Sequence, residues 1–302
     1  MGDRRGVYNG IMKCDLHVHT IHSGMCTVPV MRALSRESCS APQAVYDKLK
    51  RQGMNLVTIT DHDSIGALER LRSQPDFFLS EEVACRLPSG TELHMGVYDI
   101  RERDHHEIQK RRDDFASLLA FLTERNIFFS ADHIFSRLTG RRELAGFDCF
   151  ENHFPAFETL IGCMPAAANR RAGLLAGEMR KAPIAGSDAH TLRSVGSCWT
   201  EVAGARNKAE FFAGLRRGVG RVRGASGSYW KLTRDVFEIG ARMMRDNPYT
   251  APVALLGVAV PAITLLNYCL ERVFVDVWTS RLSARAPLGG RAGVAIPGEA
   301  AA

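Results

Sequence analysis

The chain has too little of any one residue type to support an unusual architecture. Glycine (27 residues), proline (12) and cysteine (8) are each too scarce among 302 residues for a collagen-like, disordered or disulfide-stapled protein. No C-x-x-C pair occurs: Cys14, Cys26, Cys39, Cys85, Cys149, Cys163, Cys198 and Cys269 are scattered. That is the pattern of reduced intracellular thiols, most of them packing as small hydrophobes. The opening MGDRRGVYNGIMK carries basic residues but no apolar core, so it is not a secretory signal, and the expected address is cytoplasmic. No repeat or low-complexity block precedes residue 285, and residues 285–302 read as a disordered tail. An excess of one charge sign is almost lacking too: 39 Lys and Arg against 33 Asp and Glu leave +6. That balance suits an anionic small molecule, nucleic acid or a membrane surface, and does not choose among them.

What is present is an alternation of β-rich and helical stretches. Residues 11–17, 55–60, 77–84, 92–100 and 126–133 read as strands, with shorter ones expected at 149–150, 183–186 and 200–202. Helices are expected over 40–52, with Pro42 in its first turn and Gly53 at its end, and over 105–124. Such alternation predicts an α/β domain over residues 1–230, a parallel sheet or barrel with helices outside and chemistry at the C-terminal strand ends. Residues 231–284 form a helical C-terminal extension. Within it, residues 247–270 hold no charge and are long enough to cross a bilayer, but Pro252, Gly257, Pro261 and Asn267 interrupt the run. A buried or interfacial helix and a single membrane anchor are both open. If the segment spans, Arg242 and Arg245 before it favour a cytoplasmic N-terminal part.

The chain also has ten histidines, and most of them stand beside acidic residues at expected strand ends. Asp15-Leu-His17-Val-His19 closes the first strand. Side chains two apart on a strand share a face, so His17 and His19 can grip one divalent ion, with Asp15 aligned to orient a ring. Thr60-Asp61-His62-Asp63 ends the second, where Asp61 or Asp63 could equally cap the following helix. Glu81 and Glu82, then His94, then His133, then Asp188 and His190 follow at four further strands. Any one of these is weak; one polynuclear metal site explains them together. Imidazole and carboxylate donors suit borderline divalent transition metals better than calcium or magnesium. His105, His106 and His153 have no role beyond surface or helix-end positions.

The ordered set DLHVHT, TITDHD, SEEV with ELHMGV, SADH and GSDAH resembles the PHP (polymerase and histidinol phosphatase) superfamily over residues 11–225. The resemblance implies a distorted (β/α)7 barrel whose mouth holds two or three divalent ions (Zn, Mn or Fe). It implies His17, His19, Glu82 and Asp188 as ligands of a first metal, with Glu82 bridging to a second held by His94 and His133. His62 and His190 match two ligands of a third. The match is imperfect at two places. The loop after His19 has Gly24 where relatives often carry a ligating Asp or His, and His133 is followed by Ile134 in place of proline. His22 or Cys26 could substitute for the missing ligand, and His22 could equally be a solvent-facing loop residue.

The function expected is metal-dependent hydrolysis of a small phosphate ester by a metal-bridging hydroxide. Asp15 and Asp61 would support the ligands, His62 or His190 would donate a proton to the leaving group, and Arg137 and Arg193 would contact phosphate. Two rivals compete: a non-catalytic PHP-like binding module at the membrane, and a metal-dependent nuclease. Retention of nearly all ligand positions argues against the first. Against the second, the basic cluster Arg216, Arg217, Arg221 and Arg223 lacks interleaved aromatics, so nucleic acid is an unfavoured partner.

Overall fold

The computed structural model describes residues 10–26 and 35–284; the tail expected at 285–302 lies outside them. In chain order the elements are β1 (Ile11–Cys14), α1 (Pro42–Arg51), the short α2 (Leu68–Leu71), β2 (Ser80–Arg86), β3 (Glu92–Tyr98), α3 (Glu102–Arg111), α4 (Phe115–Glu124) and β4 (Phe128–Ala131). There follow α5 (Leu144–His153), β5 (Ala156–Ile161), α6 (Ala166–Glu178), β6 (Ala182–Gly186), β7 (Cys198–Ala203), α7 (Lys208–Arg216) and β8 (Arg221–Gly224). A helical hairpin closes the chain: α8 (Tyr229–Asp246), a 3-10 run (Pro248–Ala259) and α9 (Val260–Ser283).

The strands divide between two sheets. One has five strands in the order β2-β3-β4-β5-β6, antiparallel up to β4 and parallel beyond it. The other is an antiparallel set, β1-β7-β8. The expected seven-stranded barrel is therefore not drawn as one closed ladder among the described residues. Short backbone contacts join the sheets at the strand ends instead. Asp188 N–H donates to the His17 carbonyl at 2.7 Å, Thr60 N–H to that of Val18 at 2.9 Å, and Asp63 N–H to that of Glu82 at 2.8 Å. The β-branched run at 55–60 forms no named strand; Val57 makes only an isolated bridge to Phe77. Most of its side chains are buried all the same, Val57 completely, so the segment fills the gap between the sheets without a continuous partner.

Local chemistry explains where the sequence expectations shift. The helix expected over 105–124 breaks in two because Asp114 accepts a hydrogen bond from Ser117 N–H at 3.1 Å and caps α4. The strand expected at 149–150 is instead part of α5, where Phe147 and Phe150 recur at helical spacing and both are buried. The unanticipated β5 is buried almost throughout, so it lacks the alternation that marks a half-exposed strand. Phe115, Phe129, Phe150, Phe154 and Phe157 form a core under this sheet, with ring centroids 5.5–6.3 Å apart.

Gly257–Ser283 is long and apolar enough to cross a membrane, with mean hydropathy 1.5, and 17% of that window is buried. One side of α9 belongs to the fold. Thr264 shares a 2.7 Å hydroxyl hydrogen bond with Thr233 of α8, Glu271 accepts from Arg137 N–H at 2.9 Å, and Trp278 lies 5.5 Å from the Phe147 ring. Trp278→Ala should therefore cost about 3–5 kcal/mol of folding stability, the usual loss for a buried aromatic. Urea denaturation measures this; an unchanged midpoint would mean that α9 is a separate segment.

Candidate metal centre

The strand-end histidines and carboxylates converge where the two sheets meet. β2 turns Glu82 inward and Glu81 outward, as the two-residue period of a strand requires. Glu81 consequently meets α3, with His105 Nδ1 and Gln109 Nε2 each 2.8 Å from its Oε2, which gives His105 a partner that no sequence pattern suggests. Glu82 is completely buried among five imidazoles. Its Oε2 lies 3.2 Å from His17 Nε2, 3.2 Å from His19 Nε2 and 3.1 Å from His62 Nδ1. Its Oε1 lies 2.7 Å from His94 Nδ1 and 2.9 Å from His133 Nε2. One carboxylate thus divides two groups of histidines between its two oxygens.

Asp188 closes the first group, its Oδ1 3.2 Å from His19 Nε2 and 3.6 Å from His17 Nε2, while the two Nε2 atoms are 3.0 Å apart. Donors about 2.1 Å from one tetrahedral ion lie about 3.4 Å from each other. The observed separations match that spacing. Among the described residues, the ligand atoms of His17, His19 and Glu82, of His62, Glu82 and His94, of His19, His62 and His190, of His17, His133 and Asp188, and of His17, Asp132 and Glu158 lie within 4.8 Å of one another in each group. The donors are imidazole and carboxylate, which fits divalent transition metals.

The charge states point the same way. Burial disfavours charge on His17, but Glu158, Glu82 and Asp188 outweigh it and hold the imidazole well above its usual range. His19 is raised to about 10: burial opposes, and Asp188 and Glu82 prevail. Burial pushes His62 well below its usual range, with His19, His94 and His190 adding to the effect against the pull of Glu82. His190 falls to about 4 through burial and the neighbouring His19. Glu82 and Asp188 stay well below the usual carboxylate range, because the surrounding imidazoles overcome burial. The adjacent imidazoles thus favour the ionised form of both carboxylates, and a divalent cation would supply the same compensation as one compact charge.

The far side of several rings is fixed by groups that the sequence motifs leave unassigned. His17 Nδ1 faces Glu158 Oε1 at 3.1 Å, His19 Nδ1 faces Ser23 Oγ at 2.9 Å and His133 Nδ1 faces Thr139 Oγ1 at 2.7 Å. Ser23 in turn donates to Asp61 at 2.6 Å, so Asp61 supports His19 through a hydroxyl. The Cys163 thiol donates to Asp188 Oδ2 at 2.8 Å and orients that carboxylate. Asp15 touches no ring. It accepts backbone N–H groups of His17, Ser187 and Gly196, so it ties the strand ends together where the sequence suggested an imidazole partner.

The remaining expected residues lie elsewhere or are otherwise engaged. Arg137 is held by Asn267 of α9 at 3.0 Å, and Arg193 pairs with Glu238 of α8 at 3.4 Å. His22 packs against Gly66. Two site residues carry backbone strain: His133 and Asp188 adopt φ of +28° and +47°, values unusual for residues other than glycine and shared in sign with Asp63, Asp99, Asn126 and Arg180. At Gly186 a Cβ would stand 2.2 Å from that of His17, so only glycine lets β6 approach the first strand's end closely enough to share ligands.

Residues 166–219, which include Asp188 and His190, match a family model described as PHP-associated. Two solved structures share the fold. One is a two-domain protein from Bacteroides vulgatus containing a predicted PHP-like metal-dependent phosphoesterase. It is 14% identical, with TM-score 0.54 over 76% of this chain and 70% of that one. The other is PsfC from Pseudomonas syringae, 16% identical, with TM-score 0.53 over 78% of this chain and 99% of that one. No curated protein matches the chain.

Glu158→Gln removes the charge that orients His17 while keeping its shape. Metal affinity should fall about 10–100-fold, the usual effect of losing a group behind a ligand. Chelator competition reads the change; an affinity equal to that of the unaltered protein would remove Glu158 from the site.

Proposed function

We propose that this chain is a metal-dependent phosphoesterase of the PHP type acting on a small phosphorylated substrate, a reading supported by the family-model match over residues 166–219 and by the strand-end ligand set. The observation that carries the reading is the buried Glu82 carboxylate, shared between the His17/His19 group completed by Asp188 and the His94/His133 pair. These residues would hold two divalent ions of the zinc, manganese or iron type. Such ions, when bound, supply Lewis acidity that acidifies water and neutralises charge on phosphoryl oxygens.

The chain's own contribution is positional. Glu158, Ser23, Thr139 and Cys163 set the directions of the ligands, and burial excludes bulk water. His62 Nδ1 lies 3.1 Å from Glu82, and burial lowers both His62 and His190, so a metal-ligand role suits these imidazoles beside the proton donation expected of them. Arg137 and Arg193, expected to contact phosphate, rest against Asn267 and Glu238 of the C-terminal helices in this structure. Stripping metal with a chelator should abolish hydrolysis of p-nitrophenyl phosphate or its bis-ester, and Mn or Zn should restore it. Purified protein without stoichiometric metal would end this reading.

The address belongs to the same proposal: a cytoplasmic enzyme whose C-terminal helices rest on a membrane surface. Supporting it are the exposed Leu255, Val258, Ile263 and Leu266 on a segment whose opposite side is tied to the domain. A helix so tied lies on a bilayer more readily than through it. Co-sedimentation with anionic liposomes should drop at least several-fold in an Ile263→Asp, Leu266→Asp variant. Equal sedimentation of the two proteins, or none by either, would refute the membrane seat.

A further inference from the structure

The third histidine set, His19, His62 and His190, includes no carboxylate of its own. The fold brings one to the same place from another direction. Met25 and Arg36 form an antiparallel bridge, Cys26 N–H donates to the Ser35 carbonyl at 2.9 Å, and Glu37 N–H donates to the Gly24 carbonyl at 3.1 Å. In that register Glu37 stands directly across from Gly24. Its Oε2 lies 3.6 Å from His62 Nε2 and its Oε1 lies 3.9 Å from His190 Nε2.

The position is built rather than incidental. Arg36 Nη1 donates to the Ile21 carbonyl at 2.8 Å. Ser38 Oγ reaches the carbonyls of both His19 and His190 at 3.1 Å, and Cys39 N–H donates to the His190 carbonyl at 3.4 Å. The segment bearing Glu37 is thus pinned to the backbone of two of the three histidines in this set. The His19 ring stacks between those of His62 and His190, with centroids 4.6 and 4.4 Å away, so the three present edges to one region. Glu37 is only 15% exposed there, which places its carboxylate at the rim of the pocket and not in bulk water.

We propose that Glu37, held opposite Gly24 by the Met25–Arg36 bridge, supplies the carboxylate ligand of a third divalent-cation position with His62 and His190. This role rests on the metal-dependent reading of the centre and extends it to a ligand outside the strand-end motifs. A third cation there would sit on the solvent side of the Glu82 centre, where a phosphate oxygen could reach it.

Metal content tests this independently of activity. Protein saturated with Mn(II), desalted and analysed by mass spectrometry should carry three ions per chain, and Glu37→Gln should carry two. Gly24 has φ of +82°, and among the described residues no heavy atom outside its immediate chain neighbours lies within 4 Å of where a Cβ would stand. Aspartate tolerates that backbone region better than most residues. The double variant Gly24→Asp, Glu37→Gln should therefore return to three, which a merely structural role for Glu37 would not produce. Three ions in Glu37→Gln, or loss of every ion from it, would overturn the assignment, as would a ceiling of two in the unaltered protein. No stoichiometric metal in any of them would instead bring down the phosphoesterase reading and this inference together.

Discussion

A carboxylate with no exposure to water, Glu82, is the constraint that the surrounding fold is arranged to satisfy. An ionised group taken out of water costs several kcal/mol unless charge and hydrogen bonds return what hydration supplied. Five imidazoles from four chain segments surround it, and each must be delivered at about 3 Å. That requirement explains why the ends of the first strand, the 57–62 segment, β2, β3, β4 and β6 are gathered at one point although their ladders belong to different sheets. It also explains why strain is tolerated at His133 and Asp188, since a relaxed backbone there would turn the side chains away.

The groups behind the ligands are as specific as the ligands. Glu158, Ser23, Thr139 and Cys163 come from a strand and three loops, and each holds one ring or carboxylate in a single orientation. Asp15 performs a different task, clamping three backbone N–H groups so that the segment before His17 and the turns after β6 stay in contact. Ligand geometry is therefore set by two layers of interaction, one on the side chains and one on the backbone.

The C-terminal helices are part of this arrangement. Glu271 and Asn267 of α9 hold Arg137, four residues after His133, while Asp235 of α8 accepts from Thr191 and Ser194 beside His190. The extension thereby braces two of the loops that carry the site. Its outer side stays apolar and exposed, a division of labour between faces that a hydropathy profile averages away.

Histidine and acidic residues at strand ends are legible in sequence because alternation along a strand dictates which neighbours share a face. His17 with His19 follows from that local rule, and the structure places both beside Glu82 while Glu81 turns away. The strands at 80–86, 92–98 and 128–131 are readable for the same reason. By contrast, β5 and α5 cannot be told apart by pattern, because the burial of each is nearly continuous or weakly periodic. Glu37, Glu158 and Cys163 are invisible in the linear chain. Their partners lie 25 to 153 residues away, and no local periodicity encodes a contact made across sheets. Local pattern along the chain thus marks strand-end candidates for ligands and which strand face each occupies. Which of them meet, what orients them and which side of the last helix faces outward were settled in three dimensions, because those depend on packing between segments distant along the chain.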